Sequence, residues 1–122
     1  MTDQQHGTDI LDERAFEQLR EMVGDDPEFI GEFIGTFLRT APRQIQEIRE
    51  GLAAGDAARV RMAAHTLKSN SADMGARRLS ELARRFEHGG RDGNLPTLKG
   101  LLTELEAAFT EASTALGARQ GG

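Results

Sequence analysis

The chain contains no cysteine, no tryptophan and no tyrosine. Without cysteine there are no disulfides, no thiolate metal sites and no cysteine nucleophiles. Six phenylalanines supply the aromatic rings, and they do not alternate with basic residues as a base-stacking platform would require. A net charge of −5 also speaks against a general nucleic-acid binder. No apolar run approaches the roughly 18 residues of a membrane span. The opening MTDQQHGTDI is polar and lacks a secretory signal's apolar stretch, so a cytoplasmic, free-standing chain is expected.

What remains is ordinary for a water-soluble helical domain. The chain has 122 residues, 38% hydrophobic and 29% charged, enough for one domain around one core. Alanine, leucine, arginine and glutamate are abundant while valine and isoleucine are sparse, which favours helix over strand. Charge is unevenly placed. Residues 56–91 hold eight Lys or Arg against four acids, a local +4 in a chain whose remainder carries −9. A solvated face and a docking surface are equally good readings of that segment.

Apolar spacing places five helices. The first runs from Asp12 to Met22, with Leu11, Ala15, Leu19 and Val23 four apart and Phe16 widening the stripe. Gly24 stops it. Asp26-Pro27-Glu28 then combines a cap, a first-turn proline and an acid suited to the helix dipole. The second helix carries Phe29, Ile30, Phe33, Ile34, Phe37, Leu38, Ala41, Ile45, Ile48 and Leu52, with Pro42 inside it as an expected kink. Either close helix approach or a tolerated defect accounts for Gly31 and Gly35. The third helix starts at the Gly55-Asp56 turn and ends near Met74, before Gly75. The fourth spans Ala76 to His88 with Leu79, Leu82, Ala83 and Phe86 inward, and GGRDGN follows as a loop. The fifth begins near Leu95 and carries Leu98, Leu101, Leu102, Leu105, Ala108, Phe109, Ala112 and Leu116. Five helices with short connections make an all-α up-and-down bundle. Residues 9–116 form the bundle, and 1–8 and 117–122 are expected as flexible tails.

One residue stands out in the third helix. On a wheel of about 100° per residue, Val60, Ala64, Leu67, Ser71 and Met74 share the core side, and His65 falls about 160° from Leu67. It therefore faces solvent among Ala58, Arg61, Met62, Lys68, Ser69 and Ala72. Most exposed helical histidines are simply surface residues. A neutral imidazole, which ordinarily titrates near pH 6.5, is nonetheless a usable nucleophile, and a lysine one turn on attracts phosphoryl oxygens. No carboxylate lies three or four residues from His65, so no triad is expected. His6 and His88 are too distant to complete a metal site.

The string His65-Thr66-Leu67-Lys68, with Ser71, Gly75, Ala76 and Leu79, closely resembles the signature of histidine-containing phosphotransfer (HPt) domains. Leu11-Asp12, the turn before Phe29, Phe37-Leu38 with Pro42, and Phe86-Glu87 extend the likeness over residues 10–116. The resemblance implies an all-α fold, an antiparallel up-and-down four-helix bundle with an additional N-terminal helix, which agrees with the five helices read above. It also implies a phosphoryl carrier without autonomous kinase activity, serving two-component phosphorelays. His65 would accept the phosphoryl group through Nε2 from a receiver domain's phosphoaspartate and pass it to another receiver. Lys68 would steady it. It implies response-regulator receivers and a sensor histidine kinase as partners, with no nucleic acid or membrane, and a monomer. It implies no cofactor in the carrier, the Mg²⁺ belonging to the receiver.

Ser69 stands where the family usually has glycine beside the histidine, and it is expected either to bond the phosphoryl group or to slow docking. Arg61 and Ala72 flank the site. Glu87 is near the register of a polar residue used by some family members, but a carboxylate repels phosphate, so a structural or neutral role is expected. Phe16 and Leu19, or part of the Phe29–Leu38 stripe, are candidates for receiver docking, against core packing as the simpler reading. Arg77, Arg78, Arg84 and Arg85 would steer an acidic partner or merely solvate their helix. Ser71 points inward, with a bond back to a carbonyl expected. Two alternatives remain: a receiver-binding module without phosphotransfer, and a phosphorylatable domain of a larger histidine kinase.

Overall fold

The computed structural model describes residues 10–120. Five long helices account for nearly all of them: α1 (Glu13–Met22), α2 (Pro27–Ala54), α3 (Ala57–Asp73), α4 (Arg77–Asp92) and α5 (Leu95–Gln120). The boundaries follow local chemistry. Asp12, Asp26 and Asp56 each turn a side-chain oxygen onto a backbone N–H of the helix they open, at 3.0, 2.9 and 3.0 Å. Pro27 opens α2, where its missing N–H costs nothing. Pro42 lies within α2, and the helix continues past it without a break.

From α2 to α5 consecutive helices pack against one another across short turns, and α2 also packs on α5, which closes an up-and-down four-helix bundle. α1 lies outside the bundle against α3. Its entry is pinned where the Asp12 N–H donates to the Gly75 carbonyl at 2.7 Å. Gly75 has φ +74°, and a Cβ there would come within 2.7 Å of the Asp12 carbonyl oxygen, so position 75 needs glycine for two separate reasons. Ile34, Ile48, Leu67, Phe86, Leu105 and Leu116 fill the interior.

Three sequence expectations are corrected. α4 does not stop at His88 but continues to Asp92, and Gly93 supplies the left-handed C-cap. The reason lies in the packing. Gly89 and Gly90 are crossing residues rather than loop residues, since a Cβ on Gly90 would sit 2.9 Å from the Arg61 backbone nitrogen and one on Gly89 would meet Leu98. Gly31 is no such crossing, having open space around it. Second, α5 runs on through residues 117–120, part of the segment expected as a tail. Arg119 anchors that last turn by lying over the Phe16 ring at 4.4 Å and pairing with Glu13. Third, Phe29 and Phe33 are not core residues. They are 52% and 43% exposed, while Phe37 turns in against Phe109. Residues 1–8, expected as a tail, lie outside the described residues. No described helix is long and apolar enough to cross a membrane.

Candidate functional site

α3 presents the face that its sequence dictates. Val60, Ala64, Leu67, Ser71 and Met74 are buried, and the His65 side chain on the opposite side is 61% exposed. Ala58, Arg61, Met62, Ser69 and Ala72 are exposed around it, and small residues leave one side of the ring open to a partner.

The third dimension adds what the wheel omits. Glu87, on α4, reaches across and is only 17% exposed. Its Oε2 lies 2.7 Å from His65 Nδ1, so the neutral imidazole that donates here carries its proton on Nδ1. Its Oε1 lies 2.7 Å from Lys68 Nζ, an ion pair in contact without the alignment of a hydrogen bond. The Lys68 ammonium, with His65 adding to it, holds the Glu87 carboxyl below the ordinary glutamate value although burial works in the opposite direction. One carboxylate thus grips both residues of the motif. His65 Nε2 is left without a hydrogen-bond partner among the described residues.

Two backbone features fix this register. The Ser80 hydroxyl on α4 donates to the Lys68 carbonyl of α3 at 3.1 Å. Lower on the same helix pair, the bare Gly90 backbone lies against Ala57 and Arg61. Ser80 and Glu87 are seven residues apart and therefore share one stripe of α4. That stripe is the signal that could have found Glu87. The carboxylate expected to be structural or neutral is in direct contact with His65 and Lys68.

Beside the site, α1, α2 and the end of α3 frame an open groove of about 470 Å³, walled by Leu19, Met22, Phe33, Phe37, Ala72 and Met74. The docking candidates sort accordingly. Phe16 is core, buried beneath Arg119, and offers no surface. Leu19 is buried too but forms part of the groove's floor. The exposed apolar surface comes instead from Met22, which is 75% exposed, and from Phe29 and Phe33. Ala72 joins this groove to the His65 face, one turn beyond Ser69. Of the α4 arginines, Arg84 is engaged by Glu81, and Arg78 by Glu104 and Glu111. Arg77 and Arg85 are exposed with no acid within ion-pair distance among the described residues. The buried Ser71 hydroxyl does not bond back to a carbonyl; it has no hydrogen-bond partner among the described residues.

Comparisons with known proteins bear on the fold and the family of the chain. The chain's fold is similar to that of histidine-containing phosphotransfer protein B from Pseudomonas aeruginosa PAO1, with a TM-score of 0.84 and 27% identity over 92% of this chain and 95% of that one. No curated protein matches the chain by sequence. The model of the Hpt domain family matches residues 32–115, which include all of α3 and α4 and most of α2 and α5. The chain belongs to the Hpt domain family.

Proposed function

We propose that this chain is a phosphoryl carrier of a two-component phosphorelay, taking the group from a receiver's phosphoaspartate onto His65 Nε2 and delivering it to a second receiver. The observation that carries this reading is the half-engaged imidazole. Nδ1 is tied to Glu87 at 2.7 Å, while Nε2 stands on an exposed face with no hydrogen-bond partner among the described residues. A ring held by one nitrogen presents the other at a fixed angle, and in-line displacement at phosphorus depends on such positioning. Lys68, four atoms of side chain from the same helix, can exchange a Glu87 oxygen for a phosphoryl oxygen. The exposed Ser69 hydroxyl, one turn from His65, is a second candidate donor to it.

Receiver domains are the partners that fit this surface, with a sensor kinase upstream. The groove between α1 and α2 and its apolar rim of Met22, Phe29 and Phe33 give such a domain a place to rest beside His65. Arg77 and Arg85 supply positive charge that favours an acidic partner. The carrier needs no metal of its own, because the receiver brings the Mg²⁺ that balances phosphoryl charge.

The test is transfer from a receiver phosphorylated on aspartate, with His65→Gln as the control. Acid-labile, alkali-stable label on the wild type alone is the expected result. Receiver binding without label, across several receivers, would identify a binding module and refute the carrier.

A further inference from the structure

The groove between α1, α2 and the end of α3 carries charge of one sign only. It adjoins a depression that shares Met22 and Phe33 with it. The charged residues lining the two are Asp73 and Glu32, and no Lys or Arg lines either. Resting on the carrier reading above, we propose that this surface selects receivers by charge. The receiver segment that settles into the groove presents an apolar side chain flanked by lysine or arginine.

The fold itself does not account for the two acids. Asp73 is the last residue of α3, where the negative end of the helix dipole disfavours a carboxylate. It is exposed, and so is Glu32; neither takes part in an ion pair among the described residues. Glu21 and Glu28, exposed next to Met22 and Phe29 in sequence, add charge of the same sign. The cations on the flanking helices are engaged elsewhere. Arg20 of α1 pairs with Glu17 at 3.5 Å, and Arg39 of α2 donates to the Thr36 hydroxyl at 3.3 Å. Arg14 is exposed at the opposite end of α1, and Arg77 and Arg85 belong to α4; none of the three lines the groove.

An apolar floor of Leu19, Phe37 and Met74 with unpaired carboxylates at its edges matches an amphipathic segment whose cationic heads lie beside its apolar side chain. A second copy of this chain is a poor occupant. A two-fold contact through Met22, Phe29 and Phe33 sets Glu32 and its acidic neighbours against their own symmetry mates. Arg77 and Arg85 give α4 the opposite sign. A receiver that is cationic over the groove and anionic toward α4 is attracted at both ends in one orientation and repelled when turned round.

The experiment uses the full chain and two synthetic helical peptides that share a stripe of leucine and phenylalanine. One flanks the stripe with lysine, the other with glutamate. Binding is followed by NMR shifts of the Met22 and Met74 methyl groups at about 50 and about 500 mM NaCl, since exposed charges are screened at the higher concentration. The lysine peptide should bind at least about tenfold tighter at low salt, a preference that shrinks to about threefold or less at high salt. Combining Glu32→Gln with Asp73→Asn should remove most of the preference without lowering the melting temperature. The lysine peptide should also block transfer from a phosphorylated receiver to His65, while sparing labelling by phosphoramidate, a small phosphoryl donor that needs no receiver. Equal affinity for the two peptides, or no shift with either, would overturn the proposal. A lysine peptide that binds without slowing receiver transfer would overturn the receiver as the occupant. Failure of every receiver to label His65, with the peptide preference intact, would refute the carrier reading and leave the groove's charge preference standing.

Discussion

Replacing Gly90 with alanine should damage this protein, although the same change elsewhere should improve it. A Cβ at position 90 would lie 2.9 Å from the Arg61 nitrogen, 3.0 Å from the Ala57 carbonyl oxygen and 3.1 Å from the Arg61 Cα. All three are backbone atoms of α3, so no rotamer change relieves the clash and the two helices must part. Overpacking of this kind costs about 1–3 kcal/mol. Alanine's better helix propensity returns about 1 kcal/mol, and the rigid contacts favour the upper part of the range. A net loss of about 1–2 kcal/mol follows, or a melting temperature lower by roughly 4–8 °C. Gly100 is the control. It is exposed on α5 with nothing within 4 Å of its would-be Cβ, so Gly100→Ala should raise the melting temperature by about 2–4 °C. Thermal unfolding followed by circular dichroism reads both. Gly90→Ala should also loosen the His65–Glu87 contact, visible in the His65 ring signals, because Gly90 and Arg61 lie within one turn of that pair. Equal stabilisation by the two substitutions would refute the reading of α4's glycines as a crossing.

Three further outcomes are expected. Ser71→Ala should be neutral or stabilising by up to about 1 kcal/mol in urea unfolding, because the buried hydroxyl it removes has no partner among the described residues; a loss above that size would show an essential bond. The Glu87 carboxyl is held below its ordinary value by Lys68 first and His65 next, so the ionised form is favoured in the folded chain. Its stabilisation is then complete above the unfolded glutamate value, about pH 4.3, and is lost as pH falls through the lower folded value. The stability gap between wild type and Glu87→Gln should therefore narrow steadily below about pH 4, and a constant gap would contradict the ion pair. Phe33→Asp should weaken receiver binding at least tenfold while leaving phosphoramidate labelling of His65 unchanged, and unaltered binding would move the docking surface away from the groove.

The residues that local patterns expose were legible, and those that depend on helix register were not. The caps at Asp26 and Asp56, Pro27 and the core face of α3 follow from spacing within one segment, and the structure has them where the spacing puts them. Gly89 and Gly90 were misread because glycine has two uses, and a Gly-Gly-Arg-Asp-Gly-Asn string looks the same whether the first pair turns the chain or admits another helix. Phe29 and Phe33 were misread because a stripe covering more than half of a helix does not reveal where its neighbours end. Phe16 shows the converse, since its cover by α5's last turn comes from Arg119, a hundred residues away in sequence.

Glu87 is the instructive case, placed near the site by sequence but not against the histidine. The search for an orienting carboxylate ran three and four residues either side of His65, the distances that matter within one helix, whereas the carboxylate comes from the antiparallel neighbour. On the carrier reading, that origin follows from what the site would do. A histidine that another protein must reach cannot be held by packing, because packing would cover it. An exposed ring held by nothing would sample its rotamers and present Nε2 only part of the time, at a cost paid in every encounter. A residue of α3 itself could hold the ring only from the solvent face, where the partner has to approach. Holding Nδ1 from α4, at the foot of the ring, fixes the imidazole and leaves the outer edge bare. The orientation of the exposed ring is thereby set by one side chain whose place depends on the α3–α4 crossing, and this is why a methyl group on Gly90 tests it.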